Sequence, residues 1–172
     1  SASFGFNQDN SVVRYNADGS LDTTFGTGGI VTTDSGSTGE AASAIALAPD
    51  GKIVVTGSIF DGLSNLAVTR FNTNGSLDTT FDGDGKLTVS DTSPSFTDAK
   101  VQPDGKIVVV TRNPSGRTIV LRFNTNGSAD TTFDGDGRTV IDSSGGNALA
   151  IAPDGNIIVG LAASDAENRS DF

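Results

Sequence analysis

The sequence predicts an all-β chain, a β-propeller of four-stranded antiparallel blades, on three observations. Two motifs alternate along the whole chain at intervals of 50 to 56 residues. Of the 21 acids, only Glu40 and Glu167 are Glu and the rest are Asp, the residue of turns rather than of helices. No window carries helical periodicity of useful length. Four short strands in a repeat of this size match a propeller blade of about 40 to 50 residues, whereas a β-helix coil repeats in roughly 20 and a sandwich does not repeat its sequence.

The first motif is RYNADGSLDTTF at 14–25, which recurs as RFNTNGSLDTTF at 70–81 and RFNTNGSADTTF at 122–133. The second is APDGKIVV from Ala48, QPDGKIVV from Gln102 and APDGNIIV from Ala152. Each motif reads as a hairpin. In the second, Ala44 to Leu47 leads into Pro49-Asp50-Gly51, where Pro presets φ and Gly accepts a positive one, and Ile53-Val54-Val55 leaves as a β-branched run. This is hairpin A-B. In the first, Leu66 to Phe71 ends at Asn72-Thr73-Asn74-Gly75, and after the connector SLDTTFDGDG the strand Lys86 to Val89 follows. This is hairpin C-D. Alternation places Val68 and Arg70, or Val120 and Arg122, on one face and Thr69 or Leu121 on the other.

In chain order the hairpins run C-D at 12–34, A-B at 41–58, C-D at 65–91, A-B at 97–112, C-D at 117–142 and A-B at 147–162. If a blade is A-B-C-D, this single propeller segment, 1–172, holds two whole blades flanked by two halves, three blade equivalents in all. A closed ring takes about four to eight. Since bare edges recruit strands, the last A-B hairpin is expected to pair with the first C-D hairpin of a second copy, closing a six-bladed homodimer. The competing expectation is that further blades of a larger chain complete the ring.

Composition narrows the chemistry. With no His and no Cys there is no Ser-His-Asp triad, thiol nucleophile, ordinary zinc site, haem or iron–sulfur ligation. A formal charge of -10 repels phosphate backbones and anionic lipids, so nucleic acid is not an expected partner, nor is membrane insertion, since no apolar run approaches the roughly 20 residues of a spanning helix. The start SASFGF is neither a signal peptide nor a Met start, which suggests a processed chain or a segment of a longer one.

The string R-[FY]-N-x-[DN]-G-S-x-D-T-T-F-[GD]-x-[DG]-G, with PDGKIVV in the other hairpin and FGTGG at Phe25 to Gly29, resembles the delta-60 repeat of large bacterial secreted and surface proteins. The resemblance covers nearly the whole chain. It implies the propeller fold and a secreted or cell-surface setting, and it implies no defined activity.

The candidate sites each carry a structural alternative. Asp82 and Asp84, and Asp134 and Asp136, lie two apart in Gly-rich connectors and are candidate calcium ligands, though the distal Glu of an EF-hand is missing and the first copy has Gly26-Thr27-Gly28-Gly29 there. Otherwise no cofactor is expected, and these Asp side chains cap turns. Arg14, Arg70 and Arg122 with Asp22, Asp78 and Asp130 could form a ring of ligand-binding charges, or an Asx-turn cap and its cross-hairpin neighbour in every blade. Repetition favours the second, because catalysis needs one asymmetric site. Phe25, Phe81 and Phe133 read as packing between blades. Glu40 and Glu167 fall in linkers, which speaks against a glycosidase carboxylate pair, and Asp34-Ser35-Gly36 lacks the second copy an aspartic protease needs. Asn74, Asn126 and Asn168 fit the glycosylation triplet, the first two as turn residues.

Specific recognition is expected where blades differ: the long B-C linker 58–65, the D-A linker 90–97, 113–117, and the N-terminal Phe4, Phe6, Asn7 and Gln8, with Phe60 and Phe96 as further exposed aromatics. The expected function is a non-enzymatic, extracellular propeller acting as a structural, adhesive or protein-interaction scaffold. A glycan or a surface protein is a further candidate partner. A carbohydrate-binding propeller is the alternative, followed by a glycosidase-like hydrolase.

Overall fold

A computed structural model describes residues 9–34, 39–95, 97–143 and 145–161. The expectations for Phe4, Phe6, Asn7, Gln8, Ser35, Gly36, Phe96, Glu167 and Asn168 lie outside these residues. Among the described residues the chain is all strand and turn, without helix. Twelve strands run in order: β1 (Asn10–Val13), β2 (Ile30–Thr33), β3 (Gly39–Leu47), β4 (Ile53–Phe60), β5 (Ser64–Phe71), β6 (Lys86–Val89), β7 (Asp98–Val101), β8 (Ile107–Arg112), β9 (Thr118–Phe123), β10 (Arg138–Ile141), β11 (Gly146–Ile151) and β12 (Ile157–Leu161). They form two four-stranded antiparallel sheets, β3-β4-β5-β6 and β7-β8-β9-β10, flanked by the two-stranded sheets β1-β2 and β11-β12. The architecture is half a blade, two blades, and half a blade.

The turns follow from the sequence. Gly51, Gly105 and Gly155 take φ near +85° after Pro-Asp, and each Asp Oδ1 accepts the N–H two residues on, as at Asp50, Asp104 and Asp154. The C-D turns work alike: Asn74 Oδ1 accepts the Ser76 N–H and Asn126 Oδ1 that of Ser128. Gly75 has a second reason. At φ +90° a Cβ there would lie 2.6 Å from Val31 Cγ2 and 3.0 Å from Phe25 Cε2, so only a glycine lets this turn close onto the preceding half-blade.

Two expectations change. The segment 58–65 is not a long linker: Ile59 pairs with Asn65 and Phe60 with Ser64, leaving a short turn at Asp61, Gly62 and Leu63. Gly62, at φ +106°, supplies the reversal that makes the tight hairpin possible. Glu40 is not in a linker either; it lies on β3 opposite Ile59 and is buried. Ser and Gly around both segments read as loop, yet the pairing of β4 carries each strand outward past its motif.

The expected alternation holds, since Val120 and Leu121 face different layers, as do Val54 and its neighbours Ile53 and Val55, but neither face is wet. All of β4 from Ile53 to Gly57, and β8 from Ile107 to Thr111, is buried, because a blade is covered on both faces by its neighbours. Three apolar layers result. Val12 and Phe25 meet Ile53, Val55 and Phe71. Val54, Leu66, Val68 and Phe81 meet Ala99, Ile107, Val109, Ile119, Leu121 and Phe123. Val108, Val110 and Val120 meet Leu149, with Phe133, Ile151 and Ile157 partly buried beside them. The first strands of successive sheets, β3, β7 and β11, lie side by side.

Phe81 closes the central layer and is fully buried. Phe81→Ala is therefore expected to lower stability by about 3–5 kcal/mol, and Leu63→Ala, on the exposed hairpin turn, by less than about 0.5 kcal/mol, both read by urea unfolding.

Candidate functional site

The repeated polar residues converge on one arrangement per blade. In the complete blade β3–β6, Arg70 at the end of β5 reaches Asp78 through Nε at 2.7 Å, and its Nη2 donates to the Thr80 hydroxyl at 3.2 Å. Its guanidinium carbon lies 4.7 Å from the centre of the Phe81 ring, a cation–π contact. Its Nη1 leaves the blade and donates to the carbonyl of Thr125, in the C-D turn of the next blade. Asp78 Oδ1 accepts the N–H and the hydroxyl of Thr80, while Oδ2 also meets Lys52 Nζ at 2.9 Å. Lys52 comes from the PDGK turn, so the cluster ties hairpin A-B to hairpin C-D within one blade.

The other copies are graded versions of this clamp. Arg14 holds Asp22 at 2.8 Å, stacks on Phe25 and donates to the Thr73 carbonyl of the following blade, with no lysine on Asp22. Arg122 pairs with Asp130 at 2.6 Å and stacks on Phe133, and Lys106 reaches Asp130 at 2.9 Å. Arg and Asp are thus neighbours across the hairpin with the Asp capping its own turn, and the reading as a ring of free ligand-binding charges is set aside. Sequence reasoning misses the lysines, although a signal for them exists: Lys follows PDG in two copies and Asn156 stands in the third.

The carboxyls respond to these partners. Burial pushes Asp78 up, but the Thr80 hydroxyl, Lys52, the Thr80 amide and Arg70 outweigh it and hold it well below the usual range. The Thr132 hydroxyl and Lys106, with Arg122, hold Asp130 similarly low. Asp22 is lowered by the Thr24 hydroxyl and amide, with Arg14 adding to them.

The calcium candidates lie on the connectors that follow the clamp phenylalanines and are exposed. Asp84 and Asp136 each accept the N–H two residues on, from Lys86 and Arg138, at 2.8 Å. Asp82 and Asp134 adopt left-handed backbone at φ +50° and +51°, where the first copy has Gly26. Among the described residues no three Asp, Glu, His or Cys side chains gather into a group able to hold a metal. An open groove of about 470 Å³ between the two complete blades is lined by Asp50, Lys52, Arg70, Asp104 and Asn126, its Lys52 and Arg70 already committed to Asp78.

The clamp residues recur in a known pattern. The model of a family described as a domain of unknown function (DUF5122) beta-propeller matches residues 2–25, 48–81 and 102–133, just over half of the chain. The chain belongs to this family. The second and third matched segments of this DUF5122 propeller open at a PDG turn, all three end at a clamp phenylalanine, and the second holds Lys52, Arg70, Asp78 and Phe81 together. The fold is similar to that of a crystal structure of a protein of unknown function from Bacteroides caccae, at 1.35 Å resolution, with a TM-score of 0.52 and 12% identity over 90% of this chain. The DUF5122 chain spans 51% of that chain's length. No curated protein matches it.

Lowered carboxyl pKa values stabilise the fold above the ordinary Asp value of about 3.9, and that contribution is lost as pH falls through the folded values. The melting temperature is expected to drop steeply below about pH 4, and Asp78→Asn to flatten that drop. At pH 7 Asp78→Asn should cost about 3 kcal/mol, because Arg70 is left buried without its carboxylate, and Asp22→Asn should cost less at its more open site, both measured by chemical denaturation.

Proposed function

We propose that this chain is a non-enzymatic propeller scaffold that completes its ring with a second copy and serves as an extracellular structural, adhesive or protein-interaction module. The observation that carries the reading is the half-two-half arrangement of its sheets, with β1 and β12 each paired on one side only among the described residues and their open edges belonging to the inner strands of a blade. In the complete sheets those positions are covered, β5 by β4 and β8 by β9. Main-chain groups on such edges are templates for added strands, and two half-blades of opposite kind are complementary.

The absence of enzymatic activity rests on how the charged groups are used. Each repeated Arg, Asp and Lys of the clamp is engaged in holding a blade together, which leaves the recurrent chemistry of the chain spent on architecture. The extracellular setting rests on the resemblance of the repeats to the delta-60 pattern. A rigid ring with variable loops is suited to display, and the exposed Phe60 lies where the two complete blades differ.

Light scattering on the purified chain is expected to give twice 17.4 kDa. A particle of 17.4 kDa would sink closure by a second copy. A glycan array is expected to stay blank, and saturable binding there would move the reading to a carbohydrate-binding propeller.

A further inference from the structure

Apolar positions that are covered in the middle of the chain are open on the half-blades and on the strand facing the first of them. Tyr15 is 62% exposed, while its counterparts Phe71 and Phe123 are 1% and 6% exposed. Ile158 on β12 is 55% exposed, against 0% for Val54 and Val108. Ile45 on β3 is 58% exposed, against 0% for Ala99 and 4% for Leu149. These faces have a direction. Phe71 and Phe123 look back onto Phe25 and Phe81 of the preceding unit, so Tyr15 looks toward a unit that would precede β1. Val54 looks forward onto β7 and β8, so Ile158 looks toward a unit that would follow β12. Ala99 and Leu149 pack against the unit before them, so Ile45 looks toward the first strand of the blade that β1 and β2 leave half built. An open groove of about 270 Å³ lies there, between β1 and β3, lined by Val12, Val13, Ala44 and Ile45.

Polar groups point the same way. Arg14 and Arg70 each donate through Nη1 to a carbonyl of the next turn, Thr73 or Thr125, whereas Arg122 has no such acceptor among the described residues. The main-chain N–H of Gly26 and Asp82 is accepted by Asn74 O and Asn126 O, and Asp134 likewise lacks that acceptor among the described residues. Phe133 is only partly buried, where Phe25 and Phe81 are fully so. The third clamp is built to meet a C-D turn, and the repeat alignment makes the matching residues Ala17, Asp18 and Tyr15.

We propose that a second copy docks its β1 against β12 in the register that β4 keeps with β5 and β8 with β9. Arg122 then donates to the Ala17 carbonyl of the second copy, and Tyr15 of that copy covers Phe133. The observed pairs Ile53–Phe71, Val54–Arg70 and Val55–Thr69, repeated as Ile107–Phe123, Val108–Arg122 and Val109–Leu121, translate to Ile157–Tyr15, Ile158–Arg14 and Val159–Val13 across the seam. The apolar groove receives β11 and β12, with Ile158 toward Ile45. At the seam Asn156 stands where Lys52 and Lys106 meet their carboxylates in the internal blades, so Asp22 keeps Arg14 and gains no lysine. This assignment rests on the closure by a second copy proposed above.

The chain has no cysteine, so an engineered pair reports alone. Chains carrying Val13→Cys and Val159→Cys, mixed and oxidised, are expected to form a covalent dimer, and the Val13→Cys with Leu161→Cys mixture, two residues out of register, at least tenfold less of it. Asn156→Lys is expected to tighten the dimer Kd about tenfold, since a lysine is added opposite Asp22 in each of two seams. Non-covalent dimers that cross-link better at 13–161, or whose Kd ignores Asn156→Lys, overturn the register and leave the two-copy ring standing. A chain carrying both Val13→Cys and Val159→Cys that oxidises to a covalent ladder beyond two chains, rather than to a doubly linked dimer, overturns the ring, and a chain that stays at 17.4 kDa overturns closure itself, leaving further blades of a longer chain to fill the edges.

Discussion

One guanidinium per blade must satisfy two blades at once. Arg70 spends Nε on the carboxylate of its own hairpin, Nη2 on a threonine, its flat face on Phe81, and Nη1 on a carbonyl of the neighbour. A planar donor fork on a long stem does this where a lysine's point charge cannot. Around it the geometry is fixed: the Asp caps its turn and so is held in place, the turn carries the Gly that lets it dock, and the ring of Phe81 lies beneath. The apolar layers supply most of the favourable energy, because withdrawing apolar surface from water drives folding more than any other effect. The guanidinium sets the alignment in which they meet.

Much of this could be read in the residues. PDG and N-x-[DN]-G announce the turns because Pro, Asp, Asn and Gly act locally, through φ and through side chains bonding the nearby backbone. Repetition then announces the blades. What could not be read was nonlocal. The Lys52–Asp78 contact spans 26 residues and two hairpins, and a lysine after PDG looks like any solvated charge until the sheet brings the turns together. The burial of both faces of β4 and β8 is equally nonlocal, because a run of Ile and Val does not announce that a blade will cover each side. The segment 58–65 misleads because Ser, Gly and Asp carry a loop signal even when a strong partner strand extends the ladder through them.

The ends of the arc show what a blade is worth to its neighbour. The same repeat position is closed in the middle of the chain and open at either end, as Val54 and Ile158 are. Sequence makes both apolar, and position in the series decides whether water reaches them. A repeat array therefore cannot be judged one unit at a time: each unit presents a back that the previous unit must cover and a front that must cover the next.

The tie between blades ends on a main-chain carbonyl, and that choice has a long-range effect. Thr73, Thr125 and Ala17 occupy the same turn position, yet the arginine meets only the peptide oxygen, which every residue owns. Recognition between neighbours is thus indifferent to the identity of the neighbour. Units joined by such a rule are interchangeable: a duplicated, deleted or shuffled blade finds its acceptor ready, and the loops can diverge without renegotiating the joint. The Arg14–Thr73 joint accordingly returns as the Arg70–Thr125 joint, although the loops beside the two differ.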